Sequence, residues 1–167
     1  MAVEYRITLD DEHTFNYKVE LERDVLAIDR SVPVTDWTRL DYHKCTKCPL
    51  NSAEHPACPA AVDLKTVVED FRGLPAFRKA WTHVRTEERE YSKLVNLEVV
   101  LRSLLGLIMA TSGCPILGRL KPMARCHLPF ASDSEFVLRT VSTYVLRELL
   151  KHREGRIEYP RSEERRV

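Results

Sequence analysis

Two short stretches hold the residues of this chain best suited to chemistry: His43-Lys44-Cys45-Thr46-Lys47-Cys48-Pro49 and His55-Pro56-Ala57-Cys58-Pro59. Cys45 and Cys48 form a Cys-x2-Cys pair, a spacing that lets two sulfurs face one ion across a tight turn. Alone the pair is weak evidence, but Cys58 lies close by, and Cys114 comes later in the chain. Three of these cysteines precede proline: Cys48-Pro49, Cys58-Pro59 and Cys114-Pro115. Proline favours the first position of a helix. Cys58 and Cys114 are therefore expected at helix N-caps, where the positive dipole end and unpaired N–H groups stabilise a thiolate. The expected constellation is Cys45, Cys48, Cys58 and Cys114 around one Zn²⁺. His43, His55 or His127 are the alternates for the fourth ligand, Cys114 being the weakest member. Two other readings stay open. The cysteines could be reduced thiols packed as small hydrophobes. Cys45 and Cys48 could also be a redox dithiol, although Pro49 and the loop-like composition argue against the usual helix-start context.

Other residues have bland readings. His127, between Arg125 and Pro129, is a candidate base or ligand, but such a histidine more often bonds a backbone carbonyl. Trp37 and Trp81 are expected in the core, and Arg72, Arg78 and Lys79 on a solvated surface. No G-x-G-x-x-G, Walker, H-E-x-x-H or G-x-S-x-G sequence is present. Nucleophile, base and orienter cannot be named as a set, so nothing positive supports an enzyme.

The 167 residues fit one domain, expected over 1–153 with a charged, frayed tail at 154–167. Twenty-six basic and 25 acidic residues leave a net charge of +1. A nucleic-acid binder needs a clustered cationic surplus, so no nucleic-acid partner is expected. The N-terminus has no basic region followed by an apolar run. The most apolar stretch, 94–110, carries Glu98 and Arg102 and is too short to span a bilayer. A cytoplasmic protein without membrane contact is expected, in which five cysteines act as thiols or metal ligands rather than disulfides.

The elements that must position the cysteines are legible in the periodicity. Val3, Tyr5, Ile7 and Leu9, then Phe15, Tyr17, Val19 and Leu21, alternate with polar residues, which predicts a hairpin over 2–22 turning at Asp10-Asp11-Glu12. Residues 23–59 look irregular, apart from a short strand at Val25, Leu26 and Ile28. A stretch that long needs something to order it. A helix is predicted from Pro59 to Phe71, ended by Gly73 and Pro75. A second hairpin is predicted over 78–94, turning at Glu87-Glu88-Arg89, although its alternation is weaker. Residues 96–112 predict the central core helix, apolar around most of its circumference, with Gly113 at C′. A short helix is expected between Pro115 and Leu120, with Pro122 and Pro129 breaking the chain beyond it. Ser132-Asp133-Ser134-Glu135 is a capping box opening a last helix, whose Phe136, Val137, Val141, Tyr144, Val145, Leu149 and Leu150 are expected to be buried. The expected fold is α+β: antiparallel hairpins packed on a central buried helix and a C-terminal amphipathic helix, with a cysteine-rich loop. The hairpin face of Tyr5, Ile7, Tyr17 and Val19 should pack on the helix at 96–112.

The strings LDYHKCTKCPLNSAEHPACPAAVDL (40–64) and LLGLIMATSGCPILGRLKPMARCHLPFAS (104–132) resemble a bacterial family defined as a domain of unknown function, over most of residues 3–150. The resemblance implies that His43, Cys45, Cys48, Cys58, Cys114 and His127 belong to the family pattern. Cys126 departs from it, standing where the pattern has an aromatic residue, and is expected to be a passenger. The family carries no activity to transfer.

Three functions compete. The first is a non-catalytic cytoplasmic module, stabilised by cysteine-ligated zinc, that binds a protein or small-molecule partner. The second is a thiol-redox or metal sensor using the same cysteines. The third is a metal-dependent enzyme using His127. A closed four-ligand site would favour the first, accessible low-pKa thiols the second, and a cleft with an open metal position the third.

Overall fold

The computed structural model of the protein describes residues 1–9, 13–23 and 34–153. The turn expected at Asp10-Asp11-Glu12, the short strand around Val25 and the tail at 154–167 lie outside the described residues. The chain forms two compact units, Met1–Phe130 and Ala131–Val167.

The first unit is built on four antiparallel strands. Strand β1 spans Ala2–Thr8 and β2 spans Thr14–Glu20, the first predicted hairpin. Strand β3 spans Lys79–Arg85 and β4 spans Glu90–Asn96, the second. The two hairpins join through β1 and β3, giving the order β2-β1-β3-β4. The register sets Tyr5 opposite both Tyr17 and Val84, so the inward positions of three strands stack in one layer. One sheet face is buried through Val3, Tyr5, Ile7, Ala80 and Val84, and the alternate residues point outward. This is the architecture of an antiparallel sheet covered on one side.

Helix α1 (Pro59–Phe71) opens on Cys58 as N-cap, with proline in its first turn. It ends at Gly73, whose φ of 85° is a left-handed conformation that a Cβ would disfavour. Helix α2 (Leu97–Thr111) comes directly after β4. Its first N–H groups need partners outside the helix. The Leu97 and Glu98 N–H groups donate to the carbonyls of Arg78 and Ala76, at 2.8 and 3.0 Å. The chain entering β3 therefore caps the helix leaving β4. Leu97, Val100, Leu104, Leu107 and Ile108 of α2 share one apolar cluster with Val3, Tyr5, Ile7, Val19, Val67 and Phe71. The predicted packing of the first hairpin on this helix holds.

The irregular loop before α1 is tied by its own backbone. Thr38 and Leu40 pair with the chain just ahead of α1: the Leu40 N–H donates to the Pro56 carbonyl at 3.0 Å, and the Cys58 N–H to the Thr38 carbonyl at 2.8 Å. Thr38, Leu40 and Ala57 are buried there. The loop's anchoring thus comes from strand-like pairing and three buried side chains.

After α2 the structure differs from expectation in two places. Residues Leu117–Leu120 form the short 3-10 turn, but Ile116 rather than Cys114 is its N-cap. Pro122 does not break the chain. It lies in the first turn of a further short helix, α3 (Lys121–Arg125), where its missing N–H costs nothing. Gly113 comes after the cap of α2 at Ser112 without a positive φ.

In the second unit, helix α4 spans Asp133–Arg153. Its capping box forms as expected. The Ser132 N–H donates to the Glu135 carboxylate at 2.8 Å, and the Glu135 N–H to Ser132 Oγ at 3.3 Å. The expected burial of its stripe does not occur: no residue of α4 is buried. Amphipathic spacing specifies an apolar face but not what covers it.

Candidate functional site

Cys45 and Cys48 share one turn, closed by the Cys48 N–H on the Cys45 carbonyl at 2.9 Å. Cys45 is exposed and Cys48 half-buried. Cys58 takes its expected N-cap position on α1 and is half-buried, but its side chain makes no capping hydrogen bond. Cys114 is not a helix cap. It precedes a turn in which its carbonyl accepts the Gly118 N–H at 2.8 Å, while its own N–H meets Ser112 Oγ at 3.4 Å. The physical reason is that Pro115 enters a turn before the 3-10 helix rather than a helix itself. Cys126 is exposed, and no disulfide links any of the five cysteines. Among the described residues, no three His, Cys, Asp or Glu side chains are grouped so as to hold a metal ion. Of the alternates, His43 lies edge-on to Tyr42 with centroids 4.7 Å apart. His55 is held in a turn by its N–H on the Asn51 carbonyl at 2.8 Å.

His127 joins a polar cluster that spacing could not reveal. The Tyr5 hydroxyl, from the middle of β1, hydrogen-bonds His127 Nε2 and lies 2.8 Å from Ser103 Oγ on α2. Ser103 Oγ is 3.5 Å from the same nitrogen. Tyr5 is 1% exposed. A phenol buried so deeply needs a partner for its hydroxyl, and the serine and histidine provide it. Burial pushes the Tyr5 phenol well above its ordinary range, against a smaller opposing pull from the Ser103 hydrogen bond. His127 Nε2 thus bonds the side chains of Tyr5 and Ser103.

The outer face of the sheet holds the second constellation. Trp81 is 47% exposed and Leu94 53%, and the β3–β4 register sets them directly opposite each other. The expected core position of Trp81 is therefore wrong. Ala80, Thr82 and Val84 fill the inward phase of β3, which leaves the indole on the outward phase. The indole is fixed in place. Its Nε1–H donates to His83 Nε2 at 2.6 Å, and His83 Nδ1 lies 2.7 Å from Ser92 Oγ. An indole nitrogen is a donor only. His83 Nε2 must then accept, and in the neutral ring Nδ1 carries the proton that Ser92 receives.

Cations border this pair. Arg6 sits opposite His83 across β1–β3, and Lys79 lies two residues before Trp81 on the same face. Among the described residues neither makes an ion pair. Farther along the face Glu4 pairs with Arg85 at 2.6 Å and Glu20 with Lys18 at 3.0 Å, and Glu90 sits opposite Arg85 across β3–β4. Beside them, Arg6, Lys18, His83 and Arg85 contribute to the lining of an open depression of about 480 Å³. The face offers a flat apolar contact with cations at its side, not an enclosed pocket of the kind that buries most of a small ligand.

Sequence reasoning missed Trp81, His83, Ser92 and Leu94 as a group. The available signal was the weak alternation over 78–94. It is weak because this hairpin carries apolar residues at outward positions as well as inward ones. A large apolar residue on the solvent phase of a strand is the informative departure. No helix among the described residues is long and apolar enough to cross a membrane. Neither the curated proteins nor the solved structures contain a match to this chain. A family profile matches residues 3–159, nearly the whole chain, and the protein accordingly belongs to the family described as Domain of unknown function (DUF6901).

Proposed function

We propose that this protein is a non-catalytic cytoplasmic module that docks a protein segment on the outer face of its sheet, the segment carrying an apolar side chain flanked by acidic groups. The single observation behind this reading is the exposed Trp81–Leu94 pair, with the indole held by His83 and with Arg6 and Lys79 beside it, neither in an ion pair among the described residues. A tryptophan already fixed in one orientation loses little freedom on binding, which favours it as an anchor. Arg6 and Lys79 select for carboxylates and against a cationic partner. The shallow, open surface suits a segment of chain better than an enclosed small molecule. Five cysteines, an odd number, cannot all pair as disulfides, which suits a reducing compartment.

Selecting random displayed peptides on the full chain tests this reading. Enriched peptides should place an aromatic or aliphatic residue next to Asp or Glu, and should shift tryptophan emission on binding. Trp81→Ala and Arg6→Glu should each weaken binding of a purified peptide by tenfold or more, while the unfolding midpoint changes little. Peptides without acidic residues, binding indifferent to Trp81→Ala, or preferential binding of a single-stranded oligonucleotide to this face would each refute it.

Zinc held by Cys45, Cys48 and Cys58, with Cys114 or a histidine as the fourth ligand, stays a proposal carried by the Cys-x2-Cys spacing and the N-cap placement of Cys58. Elemental analysis of protein purified without an affinity tag decides it. The proposal expects about one zinc per chain and a lower melting temperature for Cys58→Ser than for Cys126→Phe. Metal-free protein with equal melting temperatures for the two variants would leave only thiols.

A further inference from the structure

The apolar residues of α4 are exposed among the described residues, and the helix's charges identify what fits them. Val137, Val141, Tyr144, Val145 and Leu149 lie along one side of the helix and are 45–64% exposed. Spacings of three and four residues make this a seam of the kind two helices share. The helix has 21 residues, about 32 Å at the ordinary rise. A stripe of that length exposed to water is a strong drive for association.

We propose that α4 pairs antiparallel with α4 of a second copy of this chain. Asp133 and Glu135 lie in its first turn, and Lys151 and Arg153 in its last. Asp133 and Lys151 are 18 residues apart, about five full turns, so they share one flank of the stripe. Glu135 and Arg153 have the same separation and share the other flank. Residues on the same flank meet when two identical helices run antiparallel about a two-fold axis, a self-complementary arrangement. With the crossing near Thr143, Asp133 faces Lys151 of the second copy and Glu135 faces Arg153. Val137 then meets Leu149, and Val141 meets Val145. A parallel pair would instead bring acid to acid and base to base, which disfavours it. Both flanks therefore select the same orientation. Lys151 lies 2.8 Å from Glu148 within its own helix, and Glu135 also closes the capping box, so each holds a partner at once inside the helix and across it.

Sedimentation of the full chain at tens of micromolar tests the pairing. The wild-type chain should sediment at twice the chain mass. Val141→Lys should sediment as a monomer with unchanged helical circular dichroism. Asp133→Lys/Glu135→Lys and Lys151→Glu/Arg153→Glu should each be monomeric alone, and an equimolar mixture of the two should recover the doubled mass. That recovery separates lost pairing from a damaged helix cap. A monomeric wild type, a Val141→Lys chain that stays dimeric, or two helical charge variants that fail to combine would overturn the proposal. None of these readouts depends on the outer face of the sheet.

Discussion

Two phenols show most directly how position governs chemistry in this protein. Tyr5 and Tyr17 face each other across β1 and β2, on the inward side of the sheet. Burial raises the phenol of Tyr5. At Tyr17 burial again leads, and the Asp70 carboxylate that accepts its hydroxyl at 2.6 Å raises it further. Both groups are thus harder to ionise when folded than at the ordinary value of 10.0 in the unfolded chain. The linkage has one sign. The stability that comes from holding these phenols neutral is fully present below pH 10 and is lost as pH rises beyond it. In a phenolate absorbance titration of the six tyrosines, two should ionise only as the protein unfolds. Six phenols ionising together near pH 10 in folded protein would refute this.

Among the elements, β3 carries the most contrast. Its outward phase presents Lys79, Trp81, His83 and Arg85, while its inward phase buries Ala80, Thr82 and Val84. Thr82 is fully buried, and among the described residues its hydroxyl has no hydrogen-bond partner. An unpaired buried hydroxyl costs free energy that a methyl group of the same shape does not. Thr82→Val keeps the β-branched shape and should stabilise the fold by about 1 kcal/mol. Urea unfolding measures it, and a destabilised variant would mean that the hydroxyl is satisfied in solution. The same strand explains why the second hairpin reads weakly in the sequence. Alternation is informative only while one phase stays polar, and Trp81 and Leu94 place apolar groups on the phase that should be wet.

At the scale of the whole molecule, the features legible from residue order alone are those that local physics sets. Two hairpins, the α1 boundaries, the core helix α2 and the capping box of α4 come from period, proline, glycine and capping residues, all of which act within a few positions of one another. The α+β class comes from those elements, and the family membership was legible in two strings around the cysteines. The remainder depends on groups distant in sequence arriving at one place, which only the folded chain arranges. Tyr5, Ser103 and His127 meet only because β1, α2 and the residues after α3 converge on one point of the core. Trp81 faces outward because the β1–β3 pairing and the helices chose which face of the sheet to bury. The loop before α1 is held by pairing with its own far end, a contact between Thr38 and Cys58 that no local pattern marks. Cys114 shows the same limit in reverse. The cysteine–proline step predicted a cap, but a proline's fixed φ suits a turn as well as a helix start, and the chain after α2 uses it for a turn. In α4 the spacing specified an apolar face, while burial requires a second surface, and a helix pattern carries no information about where that surface comes from.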